Sequence, residues 1–238
     1  CKIEEQKRIA NIGLPSNLEE QAISLVGFDI YEILIKGYTE KQWGRRATEL
    51  PSFIIKRIHL RFVYNNNYFN DTYQGIPVGG YTPIIESMIK GAEVQINTDY
   101  FENKTYFDSL APKMIFTGRI DEFFDFKFGK LEYRSLHFEH ERLEINDFQG
   151  NAVVNYNEFD VPFTRIIEHK HFEFGAQPFT IVSKEFPNEY SKDSEPYYPV
   201  NDERNHTILG KYKELAKAYG NISFGGRLAQ YAYFDMDD

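Results

Sequence analysis

A mixed α+β fold is predicted for this chain by three changes of pattern along it. Apolar residues recur at a period near 3.6 in the first third, alternate with polar ones in the middle, and close in one amphipathic helix followed by extended chain. These changes divide the sequence into residues 1–91, a helical subdomain, residues 92–190, an antiparallel sheet, and residues 191–238, an αβ piece. In the first, Ser16 to Glu19 has capping-box spacing, and Leu18, Ala22, Ile23, Leu25 and Val26 make one apolar face, so a helix should run from Leu18 to Gly27. Pro51 and Pro83 stand where a first-turn proline is tolerated, which predicts short helices after each, the second capped by Thr82. Between them, residues 64–75 are asparagine-rich and aromatic with few aliphatics, the composition of a binding loop.

The period-two region predicts six strands, at 94–97, 114–118, 131–139, 152–156, 165–172 and 179–184. With no long helix among them, the sheet should be antiparallel. Beyond it, Leu209, Tyr212, Leu215, Ala216 and Tyr219 give a helix over 207–219 that Gly220 ends, and extended chain resumes at 222–224 with no parallel partner evident in the sequence.

Composition narrows what such a chain can do. Its 238 residues are 42% hydrophobic, enough for a sizeable core, yet no apolar run approaches the ~20 residues a membrane helix needs and no signal peptide opens the sequence. A soluble, cytoplasmic protein is expected. A net charge of −9 leaves no basic stripe for tracking nucleic acid, so any phosphate site must be a local pocket. The single cysteine, Cys1, excludes an internal disulfide and a cysteine-ligated metal. Aromatic content is high, 21 Phe and 17 Tyr, which sheet packing and a polar cleft could both use.

The segment Gly37-Tyr38-Thr39-Glu40-Lys41-Gln42-Trp43-Gly44 holds the only tryptophan, with Arg57, Tyr68 and Phe69 following. Flat rings suit a stacked base and an arginine fork suits a phosphate, so the cluster fits a nucleotide; the plainer reading is a helix end packed on the core. His169 and His171 fall on one face of a predicted strand with His137 and His140 available, but no carboxylate spacing specifies a metal, and none is expected. Asp121, Glu122 and Asp125 read as a solvated acidic turn.

The strings GYTEKQWG (37–44), NNNYFNDTYQGIPVGGYT (66–82), KMIFTGRIDEFFDFKFGKLEYRSLHFE (113–139), QGNAVVNYN (149–157), VPFTRIIEHKHFEFG (161–175), EPYYPVND (195–202) and GGRLAQYAYFDMD (225–237) resemble bacterial UDP-galactopyranose mutase over nearly the whole chain. The resemblance implies a Rossmann-like FAD domain of which residues 191–238 are a remnant. The chain then reads as an interior fragment, since it has no G-x-G-x-x-G and lacks the closing helix of the family. It implies reduced FAD as cofactor, whose N5 attacks the anomeric carbon of UDP-galactose, expels UDP and carries the sugar while its ring recloses to galactofuranose, and it implies a homodimer that does not insert into membranes.

Residue by residue, Tyr38 matches the tyrosine that stacks on uracil, with Gln42 and Trp43 beside it. Arg57 matches the arginine of the loop that swings onto the diphosphate, and Arg165 the fixed one. Tyr68, Tyr198 and Tyr233 match the phosphate-binding hydroxyls, Phe69 accompanies Tyr68, and Arg227 and Asp235 match positions beside the flavin. Leu34 and Ile35 depart from the family, standing where relatives often carry an aromatic near the uridine. The competing expectation is a nucleotide-sugar or carbohydrate-binding module without chemistry.

Overall fold

A computed structural model describes residues 2–57, 61, 63–65, 67 and 70–234, the side chains of Lys56 and Arg57 aside. Along the chain come helices α1 (Lys2–Ala10), α2 (Leu18–Ile30), α3 (Gly37–Trp43), α4 (Thr82–Met88) and α5 (Lys104–Leu110), then strand β1 (Met114–Phe116) and helix α6 (Ile120–Phe123). Strands β2 (Tyr133–Leu143), β3 (Val153–Asn155), β4 (Arg165–Glu168), β5 (Thr180–Glu189) and β6 (Tyr198–Pro199) follow, and α7 (Glu203–Ala216), β7 (Ile222–Phe224) and α8 (Gly226–Gln230) close the order. The class is the mixed α+β one that the periods predict. No helix among the described residues is long and apolar enough to cross a membrane.

Contacts group the chain into two compact units, Cys1–Gly75 with Tyr133–Tyr197, and Ile76–Glu132 with Tyr198–Asp238. Each draws on two separated stretches, and these cut across the segments 1–91, 92–190 and 191–238.

The first unit joins a helical core to an antiparallel sheet. Leu18, Ala22, Ile23, Val26, Tyr31, Ile35, Ala47, Leu50 and Ile55 bury one another, so the predicted apolar face of α2 is the core face. Its cap sits one residue later than the capping-box spacing suggested. Asn17 Oδ1 accepts from Glu20 N at 2.9 Å, and the Glu20 carboxylate reaches back to both N and Oγ of Ser16 at 2.8 Å. At Gly27, the predicted end, the backbone leaves helical geometry at φ 77° and ψ 176°, and a second helical stretch continues to Ile30. A π-helical turn, Tyr31–Lys36, carries it into α3, and Pro51 precedes a 3₁₀ turn, Ser52–Arg57.

In the sheet, β3, β4, β5 and β2 lie side by side in that order, all antiparallel, with Arg165 opposite Glu185 and His140 opposite Ser183. The expected strand 165–172 stops at Glu168 because the chain tightens into a 3₁₀ turn, His169–Glu173, ending at a left-handed Phe174.

The second unit overturns four expectations. Residues 94–97 form no strand: Asn97 turns left-handed at φ 53°, and Val94 and Ile96 remain exposed. The segment at Met114 belongs outside the antiparallel sheet and pairs in parallel with Ile222–Phe224, so the closing extended piece does have a parallel partner. Thr82 lies within α4, whose N-cap is Tyr81, because Pro83 occupies the first turn without a capping side chain. Around the β1–β7 pair, Phe116, Phe123, Phe124 and Phe224 meet in edge-on and tilted contacts, Phe123 to Phe224 edge-on at 5.1 Å and 88°. Asp121 is also no solvated turn residue. Fully buried, its carboxylate accepts from Leu131 N at 2.9 Å and Glu122 N at 3.0 Å and faces Arg119, so it fastens the α6 turn.

Candidate functional site

Helix α3 is fixed at three points, and each has a local cause. At its start, a side chain on Gly37 would overlap the Asn157 carbonyl, so only glycine allows the helix this close to the sheet. In its middle, Lys41 Nζ faces four backbone carbonyls, those of Tyr156, Glu158, Val161 and Phe163, at 2.8 to 3.0 Å. Burial lowers its pKa below the ordinary lysine value, with Glu158 and Asp160 acting in opposition. At its end, Gly44 adopts φ 63° and donates to Glu40 O, while Arg134 Nε donates to the Gln42 carbonyl at 3.1 Å. Nothing in the sequence marked Lys41 or Arg134, because their partners lie 92 to 122 positions away.

This mount brings two sequence-predicted residues together. Arg165, on β4, donates through Nη2 to the Tyr38 hydroxyl at 2.5 Å, and its Nε stands 3.0 Å from Glu185 Oε1 across the strand pair. Glu185 is itself fixed by Thr164 Oγ1 at 2.8 Å. The result is a cation of fixed plane joined to a phenol, with Trp43 on the same short helix. Trp43 packs partly on the helical core, as the plainer sequence reading has it. Gln42 is held through its carbonyl. Of the two departures from the family, Ile35 belongs to the core, while Leu34 is 50% exposed.

The second unit gathers a second set. The rings of Tyr198 and Tyr233 stack at 6.3 Å and 17°, and the Arg227 guanidinium lies over Tyr233, 4.1 Å from its centroid. Arg227 Nε also donates to Phe234 O at 2.8 Å, and its Nη2 to the same carbonyl. Tyr68, Phe69, Asp235 and the Arg57 side chain lie outside the described residues. This unit also carries an open groove of about 950 Å³, walled by Tyr100, Phe101, Phe107, Phe116 and Arg119, to which no motif pointed.

The histidines separate where the 3₁₀ turn begins, and so do not share one strand face. His140 Nδ1 and His169 Nε2 both lie 2.6 Å from the buried Ser183 hydroxyl, and burial, then the neighbouring His140, lowers the His169 pKa. His171 turns instead toward Asp147 and Glu168. Burial would push the Glu168 carboxyl up, but the neighbouring Thr180 side chain, the amides of Gln149 and Phe148, and the His171 charge hold it below the ordinary value.

Comparison with known proteins places the chain in a family. The family model for UDP-galactopyranose mutase (GLF) matches residues 33–233. The dTDP-fucopyranose mutase of Escherichia coli is 38% identical over 242 residues, covering 99% of this chain and 64% of that protein. A probable UDP-galactopyranose mutase of Klebsiella pneumoniae is 38% identical over 237 residues, covering 98% of this chain and 60% of that one. The chain therefore spans less than two thirds of the length of these relatives. A crystal structure of reduced UDP-galactopyranose mutase superposes with a TM-score of 0.64 over 95% of this chain and 66% of the other, at 12% identity, a likeness of fold.

Proposed function

Because the chain belongs to the UDP-galactopyranose mutase family, we propose that it supplies the substrate side of an isomerase interconverting UDP-galactopyranose and UDP-galactofuranose. The observation that carries the reading is the Arg165–Tyr38 pair on the fixed α3 mount. Its cation meets the diphosphate, which gains negative charge as the glycosidic bond breaks, and a preorganised guanidinium there stabilises the transition state more than the ground state. Glu185 holds the plane of that guanidinium, Tyr38 and Trp43 offer faces for the base, and the resemblance assigns Arg57 and the hydroxyls of Tyr68, Tyr198 and Tyr233 to the diphosphate, with Phe69 beside Tyr68. Reduced FAD, when bound, supplies the covalent chemistry at the anomeric carbon.

The described residues fit that cofactor only in part. Arg227 and the Tyr233 ring offer a charged, stacking surface for a flavin, with Asp235 assigned beside it. A dinucleotide pyrophosphate is seated by a G-x-G-x-x-G turn from strand into helix; β7 leads through Gly225 and Gly226 into α8, but the pair is not that motif and α8 is only five residues long. In this reading the chain is inactive alone, and the enzyme that carries it is cytoplasmic and homodimeric.

One comparison favours a second reading. The dTDP-fucopyranose mutase is as similar as the Klebsiella relative, so the substrate could be a thymidine diphosphate 6-deoxysugar. An enzyme carrying this chain, assayed with both nucleotide sugars before and after dithionite reduction, separates the cases. Ring exchange only after reduction, faster with UDP-galactofuranose, supports the first; faster exchange of the fucose substrate supports the second. Binding of nucleotide sugar with no exchange of either would make the protein a binding module.

A further inference from the structure

We propose that Asp147, Glu168 and His171 form a binding site for one divalent transition-metal cation. Their nearest donor atoms all lie within 4.8 Å of one another. His171 Nε2 stands 3.2 Å from Glu168 Oε2 and 3.5 Å from Asp147 Oδ1. Ligands at metal distances of about 2.0–2.2 Å are separated from each other by roughly 3.0–3.5 Å, so both spacings suit donors around one ion.

The donors are also organised in advance. Glu168 is fully buried and accepts from the amides of Phe148 at 3.0 Å and Gln149 at 2.9 Å, while Asp147 Oδ1 accepts from Gly150 N at 2.6 Å. The independent sign of a missing partner is His171 Nε2, which is sealed from solvent between two carboxylates yet makes no hydrogen bond. One imidazole and two carboxylates suit zinc, manganese or iron(II). Asp147 is half exposed and gives the ion a route in. Its role would be structural: it ties the turn at 147–150 to the strand that carries Arg165.

The test titrates Zn²⁺ into the metal-stripped chain by calorimetry. One equivalent should bind, and His171→Gln and Asp147→Asn should each weaken binding by roughly tenfold or more, the scale on which even outer-shell losses act. His206→Gln, on exposed α7 surface, should change nothing. A second readout needs no variant. Co²⁺ added to the unmutated chain should broaden the amide resonances of Phe148 and Gln149 before any others. No binding at millimolar zinc, parental affinity in both site variants, or broadening centred on His140 or His206 would overturn the site and leave the cluster an ion pair.

Discussion

Arg165 is held twice before any substrate arrives, by the Tyr38 hydroxyl and by Glu185. That double hold changes what substitution should do. Arg165→Ala in an active enzyme should cut turnover about 10²-fold or more, as loss of one oxyanion donor does. It should also cost roughly 1–3 kcal/mol of stability, because the Glu185 side chain, only 7% exposed, loses its cation. Arg165→Lys keeps the charge and loses the fork, so turnover should recover only partly while the denaturation midpoint stays near parental. Arg57→Ala should show a similar loss of turnover, and Arg204→Ala, whose ion pair with Glu132 is exposed, less than about twofold. Parental turnover in either alanine variant would remove that arginine from the phosphate site. A second residue-scale effect concerns pH. Burial lowers the His169 pKa below its ordinary 6.5, so between those values the unfolded chain binds more protons than the folded one. Stability from this group is present above 6.5 and is lost as pH falls, and His169→Gln should flatten the thermal midpoint between pH 7 and 5. An unchanged slope would refute the assignment.

At the scale of elements, legibility in the sequence followed the distance between partners. The core face of α2 and its capping region could be read because the residues that make them lie within a turn or two of one another. Gly37 and Gly44 bound the aromatic motif in the sequence, but nothing local marks Lys41, because its acceptors begin 115 positions away. The same blindness hid the β1–β7 pairing, since a short apolar run carries no mark of its partner, and it made Asp121 look solvated. The site reading came from long motif strings, and the structure adds the supports Glu185, Arg134 and Lys41 that periodicity has no means to show. Lys41→Met should therefore cost about 1.5–3 kcal/mol in chemical denaturation, since charge-assisted bonds to the 156–163 loop vanish. Nucleotide affinity should fall with it, as α3 loosens. A stable variant with parental affinity would show that α3 does not depend on this clamp.

The whole molecule is two units, each assembled from two distant stretches of sequence. A polypeptide ending at Gly75 should thus be unable to hold α3, because the carbonyls that receive Lys41 and the oxygen facing Gly37 are absent from it. Its circular dichroism should show less helix than the same residues contribute in the full chain, and native-like, cooperatively melting helix would contradict this. The full chain, which contains no G-x-G-x-x-G, should emerge from gel filtration colourless after incubation with FAD. A retained flavin absorbance would mean that the described residues suffice. The interleaved order of the stretches also sets a timetable during synthesis. The first unit needs residues up to Tyr197, so α3 leaves the ribosome long before the loop at 156–163 that receives Lys41 exists. At about 5–20 residues per second the wait is on the order of ten seconds, far longer than a helix needs to form. Through that interval α2 is already covered by its own neighbours while α3 waits without its clamp, and it is there that the nascent chain is most exposed to chaperones and to proteases.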